Sequence, residues 1–204
     1  IKKYYDSMNH ELVEKMFREK LDDDSYKATV EILRSQYPGD TGYNPGSQMV
    51  QIAGVSLLDG MDHFIKEKLR IKYYLRYMDD AILIHESNEY LTECLCKLTE
   101  YLNDLKLQPH EKKTRIYPIS KGIPFLGFTF RLTESGKVLM HVKSDSVKRA
   151  KRRLKKLVGR CKDGLMTRHD VDECFGSWLA HIRKGNSYLL EQRMKKYYNG
   201  LWRD

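Results

Sequence analysis

The spacing of apolar residues changes several times along this chain of 204 residues. From Asn9 to about Ser35, Leu12, Val13, Met16 and Phe17, then Tyr26, Val30 and Leu33, recur at helical intervals, and Asp22-Asp23-Asp24 breaks the run into two helices. Turn signals follow at Tyr37-Pro38-Gly39-Asp40 and Asn44-Pro45-Gly46-Ser47. After them Met49, Ile52, Ala53, Ser56, Leu57, Met61, Phe64, Ile65 and Leu69 predict one long helix, N-capped by Ser47.

At Ile71 the period shortens. Tyr73, Tyr74, Leu75 and Tyr77 form a β-prone run, Asp79-Asp80 interrupt it, and Ala81 to Ile84 continue it, which predicts a hairpin with the aspartates at its tip. Ser87 caps a further helix with Leu91, Cys94, Leu95, Leu98, Leu102 and Leu105 on its buried face. Strands are expected around Thr114–Tyr117, Pro124–Arg131 and Val138–Val142, with a turn at Glu134-Ser135-Gly136. Helices then run from Ser144, Thr167 and Ser187 to near the C-terminus. The expectation is an α+β domain over residues 1–142, an antiparallel sheet with helices on one face, and a small helical domain over 143–204.

Charge sharpens that boundary. From Lys143 onward 17 Lys and Arg stand against 7 Asp and Glu, whereas residues 1–142 hold 20 against 21. A cationic surface confined to the last third fits a polyanion, because each neutralised phosphate releases counterions. No apolar run approaches the ~20 residues of a membrane helix, so no membrane partner is expected. The four cysteines form no C-x-x-C pair, which argues against a zinc site and a disulfide framework and makes the reducing cytoplasm the default compartment. The chain opens on Ile1-Lys2-Lys3 and reads as a piece of something longer.

Two features suggest chemistry. Adjacent carboxylates at a hairpin tip offer hard oxygen ligands with open coordination positions, which suits Mg²⁺ and phosphoryl transfer, although aspartate is also simply common in turns. The helix from Ser144 carries Val147, Ala150, Leu154, Leu157, Val158 and Cys161 on one face. Its other face holds Lys148, Arg149, Arg152, Arg153 and Lys156 among further cations, more than i,i+4 pairing calls for, and fits contact with a phosphate backbone.

Tyr77-Met78-Asp79-Asp80 between β-like segments resembles the Y-x-D-D box of bacterial reverse transcriptases, and other boxes follow in that family's order. Ile1 to His10 is similar to the stretch after the family's first catalytic aspartate, and Pro45 to Gln51 to the next box. Lys112 or Lys113 with Thr114 matches the K-T box, Phe125-Leu126-Gly127-Phe128 the primer grip, and Ser177, His181, Gly185 and Asn186 a thumb box. The second box leans toward diversity-generating retroelement enzymes rather than group II intron enzymes, which would imply a retroelement accessory protein as a partner.

The resemblance implies a palm over 1–142 and a basic helical thumb over 143–204, with the fingers and the first metal-binding aspartate lying upstream of Ile1. It implies RNA-directed DNA synthesis from dNTPs on an RNA template, with Mg²⁺, or Mn²⁺ in its place, at Asp79 and Asp80. Tyr5 would stand as the gate against a ribose 2′-hydroxyl, with Lys3 and Gln48 also at the nucleotide and Lys113 at the departing pyrophosphate. Tyr77, Met78, Phe125, Leu126 and Gly127 would meet primer and template, and the cationic helix would bind the RNA–DNA duplex. By itself the segment is expected to be inactive. The competing expectations are a non-catalytic nucleic-acid-binding module on a polymerase-like palm and an RNA-templated RNA polymerase, against which Tyr5 speaks.

Overall fold

Capping side chains mark where most helices begin. In the computed structural model, which describes residues 1–203, Asn9 accepts from the Leu12 amide at the head of α2 (His10–Lys20), after a single turn α1 (Tyr4–Ser7). Asp22 accepts from Asp24 and Ser25 and starts α3 (Asp23–Gln36), so the acidic triplet breaks the helical run as expected. Ser47 caps α4 (Gln48–Ser56) through the Val50 amide.

The long helix expected after Ser47 is divided. It stops at Ser56, restarts as α5 (Asp59–His63) and passes into a π-turn over Phe64–Lys68, in which the Leu69 amide reaches back five residues to the Phe64 carbonyl at 3.0 Å. The break brings the adjacent Leu57 and Leu58 into one core with Met61 and Ile65. The buried face of α4 is also rotated from the expected one: Val50, Ala53 and Gly54 are buried, whereas Ile52 is 57% exposed. Gly54 explains the rotation, because Tyr5 lies so close that a Cβ there would come within 3.0 Å of its ring and hydroxyl.

Strands β1 (Tyr73–Tyr77) and β2 (Asp80–Ile84) form the expected hairpin, and Ser87 caps α6 (Asn88–Asp104). No strand forms over 114–117. The Lys113 and Thr114 amides both bond the His110 carbonyl, and residues 111–116 are all exposed, so these β-prone residues have no sheet to join.

Residues Pro124–Arg131, expected as one strand, form two: β3 (Ile123–Phe125) and β4 (Phe128–Leu132), antiparallel around Leu126-Gly127. Both turn residues have positive φ, 45° and 87°, the geometry that lets a two-residue loop follow the strand twist. β5 (Val138–Val142) completes a three-stranded meander, separate from the β1–β2 pair, so the strands make two sheets rather than one.

Helices α7 (Ser144–Lys162), α8 (Arg168–Ile182) and α9 (Tyr188–Gly200) pack around Leu154, Val158, Phe175, Ile182, Met194 and Tyr198. Thr167 and Asp170 close a reciprocal capping box at the start of α8. Leu189, in the first turn of α9, is 72% exposed. The buried face of α9 is instead Glu191, Met194 and Tyr198, because Glu191 is drawn inward by Arg183.

The chain divides into two compact units, Ile1–Ile116 and from Tyr117 onward. The packing divides before the meander, whereas the composition changes near residue 142. Within the second unit the Asn186 side chain accepts from the Met140 amide at 2.8 Å while the Asn186 amide donates to the Met140 carbonyl at 2.8 Å, which ties β5 to the end of α8. No helix among the described residues is long and apolar enough to cross a membrane.

Arg183 grips Glu191 through two hydrogen bonds of 2.6 and 2.9 Å, and Lys195 adds a third contact at 2.7 Å. The Arg183 bonds first, then Lys195, pull the carboxyl down to about 2 from 4.5. A depressed acid stabilises the fold above its unfolded value, and that contribution is lost as pH falls from about 4.5 through about 2. Urea midpoints measured over this window should fall less steeply with acidification in Glu191→Gln than in the wild type.

Candidate functional site

The hairpin tip is a two-residue turn. Tyr77 pairs with Asp80, so Met78 and Asp79 make the turn itself and Asp80 opens β2. Met78 lies in the left-handed region at φ 53°, a conformation that costs a non-glycine residue roughly 1 kcal/mol or more. Asp79 is 31% exposed at its side chain, and its Oδ2 stands 3.6 Å from the Ile1 ammonium, which also donates to the Asp79 carbonyl at 3.4 Å. Asp80 is exposed and makes no ion pair among the described residues.

Tyr4 and Tyr5 straddle Gly54 of α4. The Tyr4 hydroxyl donates to the Gly54 carbonyl at 2.6 Å, and the Tyr5 ring lies against the glycine's open face. Tyr5's hydroxyl is buried with no hydrogen-bond partner. Burial first, then the charges of Asp79 and Tyr77, hold this phenol above its ordinary pKa, so it stays neutral beside the carboxylate. The structure therefore brings Tyr5, Tyr77 and Asp79 into one neighbourhood around the turn.

Arg76 holds that turn from behind. Along β1, Tyr74 and Arg76 alternate with the more exposed Tyr73, Leu75 and Tyr77. The Arg76 guanidinium, only 9% exposed, grips the Asp62 carboxylate of α5 through Nε (2.6 Å) and Nη2, donates from Nη1 to the Met78 carbonyl (2.8 Å), and reaches the Val55 carbonyl at the end of α4 (3.4 Å). Tyr74 donates to the same carboxylate at 2.6 Å. Burial raises the Asp62 carboxyl, but the Arg76 and Tyr74 hydrogen bonds outweigh it and the net shift is downward. Sequence reasoning missed Arg76 and Asp62; the available signal was a cation in an aromatic strand, in register with Tyr74 on the half-buried face.

The remaining candidates of this unit are dispersed. Lys3 sits in a left-handed conformation before α1 and lines a shallow hollow of about 330 Å³ with Lys2, Lys106 and Gln108. Gln48 is exposed in the first turn of α4. Lys113 lies in the exposed turn closed by His110, and no contact among the described residues ties it to Asp79 or Asp80. As metal ligands, Asp79 and Asp80 fit a hard divalent ion in donor type and openness. They contribute two carboxylates; no cluster of three or more metal-ligating side chains occurs among the described residues.

In the second unit the Leu126-Gly127 turn leaves Leu126 46% exposed, whereas the Phe125 side chain is buried and supports the turn from within. The Gly127 carbonyl accepts from the Lys143 amide at 3.2 Å, and the His181 ring sits 4.9 Å from that of Phe128. A Cβ at Gly127 would lie 3.5 Å from His181 Nε2. On α7, Lys148, Arg149, Arg152, Arg153 and Lys156 are all exposed. Lys148 stands 3.7 Å from Asp145 and Arg153 contacts Cys174 Sγ, but Arg149, Arg152 and Lys156 make no ion pair among the described residues.

A search of curated proteins returned no match. Residues 1–130, from the first residue through the hairpin tip, α6 and the Leu126-Gly127 turn, match the family model described as reverse transcriptase (RNA-dependent DNA polymerase). With well over half of its length matched, and with the acidic turn inside the matched region, the chain belongs to the reverse transcriptase family.

Proposed function

We propose that this chain forms the palm, with helices α7–α9 as a thumb, of a cytoplasmic RNA-directed DNA polymerase, and that Asp79 and Asp80 are its metal-holding carboxylates. The supporting observation is the acidic turn: a half-buried and an exposed carboxylate side by side, with the neutral phenol of Tyr5 next to the first. Mg²⁺, or Mn²⁺ in its place, is the cofactor such donors suit, and bound there it supplies positive charge to the entering and departing oxygens of phosphoryl transfer.

In the reaction a primer 3′-hydroxyl loses its proton and forms a bond to the α-phosphorus of a dNTP, the α–β phosphoanhydride breaks, and pyrophosphate leaves. Lys3 and Gln48 are assigned to the nucleotide and Lys113 to the pyrophosphate. Tyr77, Met78 and the Leu126-Gly127 turn present backbone and apolar surface to primer and template. Arg149, Arg152 and Lys156, which make no ion pair among the described residues, place positive charge on one face of α7 for the backbone of an RNA–DNA duplex.

Tyr5 selects the sugar in this reading. Its ring is held against Gly54, so it cannot retreat from a 2′-hydroxyl without leaving α4. In the full polymerase chain, Tyr5→Ala should raise ribonucleotide use relative to dNTP by about tenfold or more, the size of discrimination that a steric pocket gives. Unchanged discrimination in an active Tyr5→Ala enzyme would remove the gate from the reading.

Residues 1–204 alone offer two carboxylates at the tip, and we expect no primer extension from that segment by itself. Templated incorporation by it above an Asp79→Ala control would refute this. A full chain that binds duplex yet never incorporates dNTP would instead establish a non-catalytic binding module, whose work rests on α7.

A further inference from the structure

The geometry points to Arg76 as a positioning residue of the polymerase site: through the Met78 carbonyl it fixes the peptide that joins Met78 to Asp79, and so sets the carboxylate that holds the metal. This rests on the functional reading above, but goes beyond it to a residue that touches neither metal nor substrate.

A two-residue turn with a methionine in the left-handed region has competing backbone states, since φ near 53° is unfavourable for any residue that carries a Cβ. The carbonyl of Met78 belongs to the same peptide plane as the Asp79 amide. A rotation of that plane swings the Asp79 Cα–Cβ bond. Arg76 Nη1 holds that carbonyl at 2.8 Å, with a charge-assisted bond in a largely dry environment.

The guanidinium is itself immobile. Asp62 takes two of its donors in a fork, Tyr74 donates to the same Oδ1 that accepts from Nε, and Val55 takes a further contact at 3.4 Å. α4, α5 and the hairpin therefore meet on one planar cation, and its Nη1 is aimed at the turn. A lysine could serve one of these acceptors, not all of them.

The test uses the full polymerase chain with an RNA template and annealed DNA primer. Mg²⁺ is titrated in single-nucleotide incorporation, and Mn²⁺ binding is followed separately by electron paramagnetic resonance. Arg76→Met alone would strand the Asp62 carboxylate and risks unfolding, so Asp62→Asn serves as the background. Asp62→Asn keeps Arg76 on the Met78 carbonyl and should leave the metal midpoint within about twofold of wild type, whereas adding Arg76→Met should raise it about tenfold in both readouts, the scale on which loss of an outer-shell partner weakens metal binding.

The dNTP KM should stay nearly constant, and Arg76→Lys in the same background should restore the midpoint in part. Tyr74→Phe separates positioning from stability: it removes a bond to Asp62 without touching the turn, so it should lower the melting temperature and leave the metal midpoint in place. An unchanged midpoint in the folded, active double variant overturns the positioning role. A wild-type chain without templated incorporation overturns the functional reading instead.

Discussion

In the full polymerase chain, Asp79→Asn and Asp80→Asn should each lower templated dNTP incorporation on the order of 10³-fold, a loss of several kcal/mol of transition-state charge stabilisation at ~1.4 kcal/mol per factor of ten. The two positions differ in what else they do. Asp80 is exposed at the first position of β2, so its neutral amide should leave the melting temperature where it was. Asp79 is half-buried and its charge acts on Tyr5, so Asp79→Asn also changes the local field and should let the Tyr5 phenol ionise more readily. Primer extension with matched amounts of folded protein, judged by circular dichroism, checks both. Full activity in either variant would deny that carboxylate a part in catalysis. Loss of activity with duplex affinity unchanged would separate the chemistry at the hairpin from phosphate contact on α7, since the two sets of side chains lie in different compact units.

What could be read from the sequence follows how local the causes are. Ser47, Ser87 and Thr167 announce helix starts because a cap needs only the amides two or three residues ahead. The acidic tip is legible for a similar reason: β-prone runs on both sides of Asp79-Asp80 place a hairpin turn there, and the pairing of Tyr77 with Asp80 sets it at Met78-Asp79. The cationic face of α7 is set by composition and period alone. Where the cause is a distant residue, the reading shifts. Ile52 belongs to the apolar stripe of its helix by spacing, yet Tyr5, 49 positions before Gly54, claims the face at that glycine and turns Ile52 outward. Thr114 to Ile116 has strand-forming side chains but joins no sheet among the described residues, and pairing rather than propensity decides. Leu126-Gly127 was hidden because a leucine at positive φ is the last residue one would assign to a tight turn. Arg76 and Asp62 are 14 residues apart on a strand and a short helix, and nothing in either segment alone says that they meet.

Gly185→Ala should be the most destabilising single methyl addition in the second unit. Its Cβ would fall 2.6 Å from the Met140 carbonyl oxygen and 3.2 Å from the Phe128 ring. Relief by a small shift is blocked on each side. The Met140 carbonyl is engaged by the Asn186 amide, and the Met140 amide by the Asn186 side chain, so moving the strand breaks both bonds. Phe128 is buried, lies against His181, and closes the Leu126-Gly127 turn through its pairing with Phe125. Overpacking a well-filled site costs about 1–3 kcal/mol, and here each lost hydrogen bond of the bridge adds about 1 kcal/mol. Urea denaturation should therefore show a loss of about 3 kcal/mol or more. Asn186→Ala, which removes only the side-chain bond, should show about 1 kcal/mol. The same substitutions distinguish two roles for this joint. If it serves only stability, duplex binding at a temperature where Asn186→Ala is fully folded should equal that of the wild type. If the joint holds the Leu126-Gly127 turn in place for primer contact, duplex affinity should fall in Asn186→Ala before any unfolding is detectable, because β5 would then be free to shift against α8 and carry β4 with it.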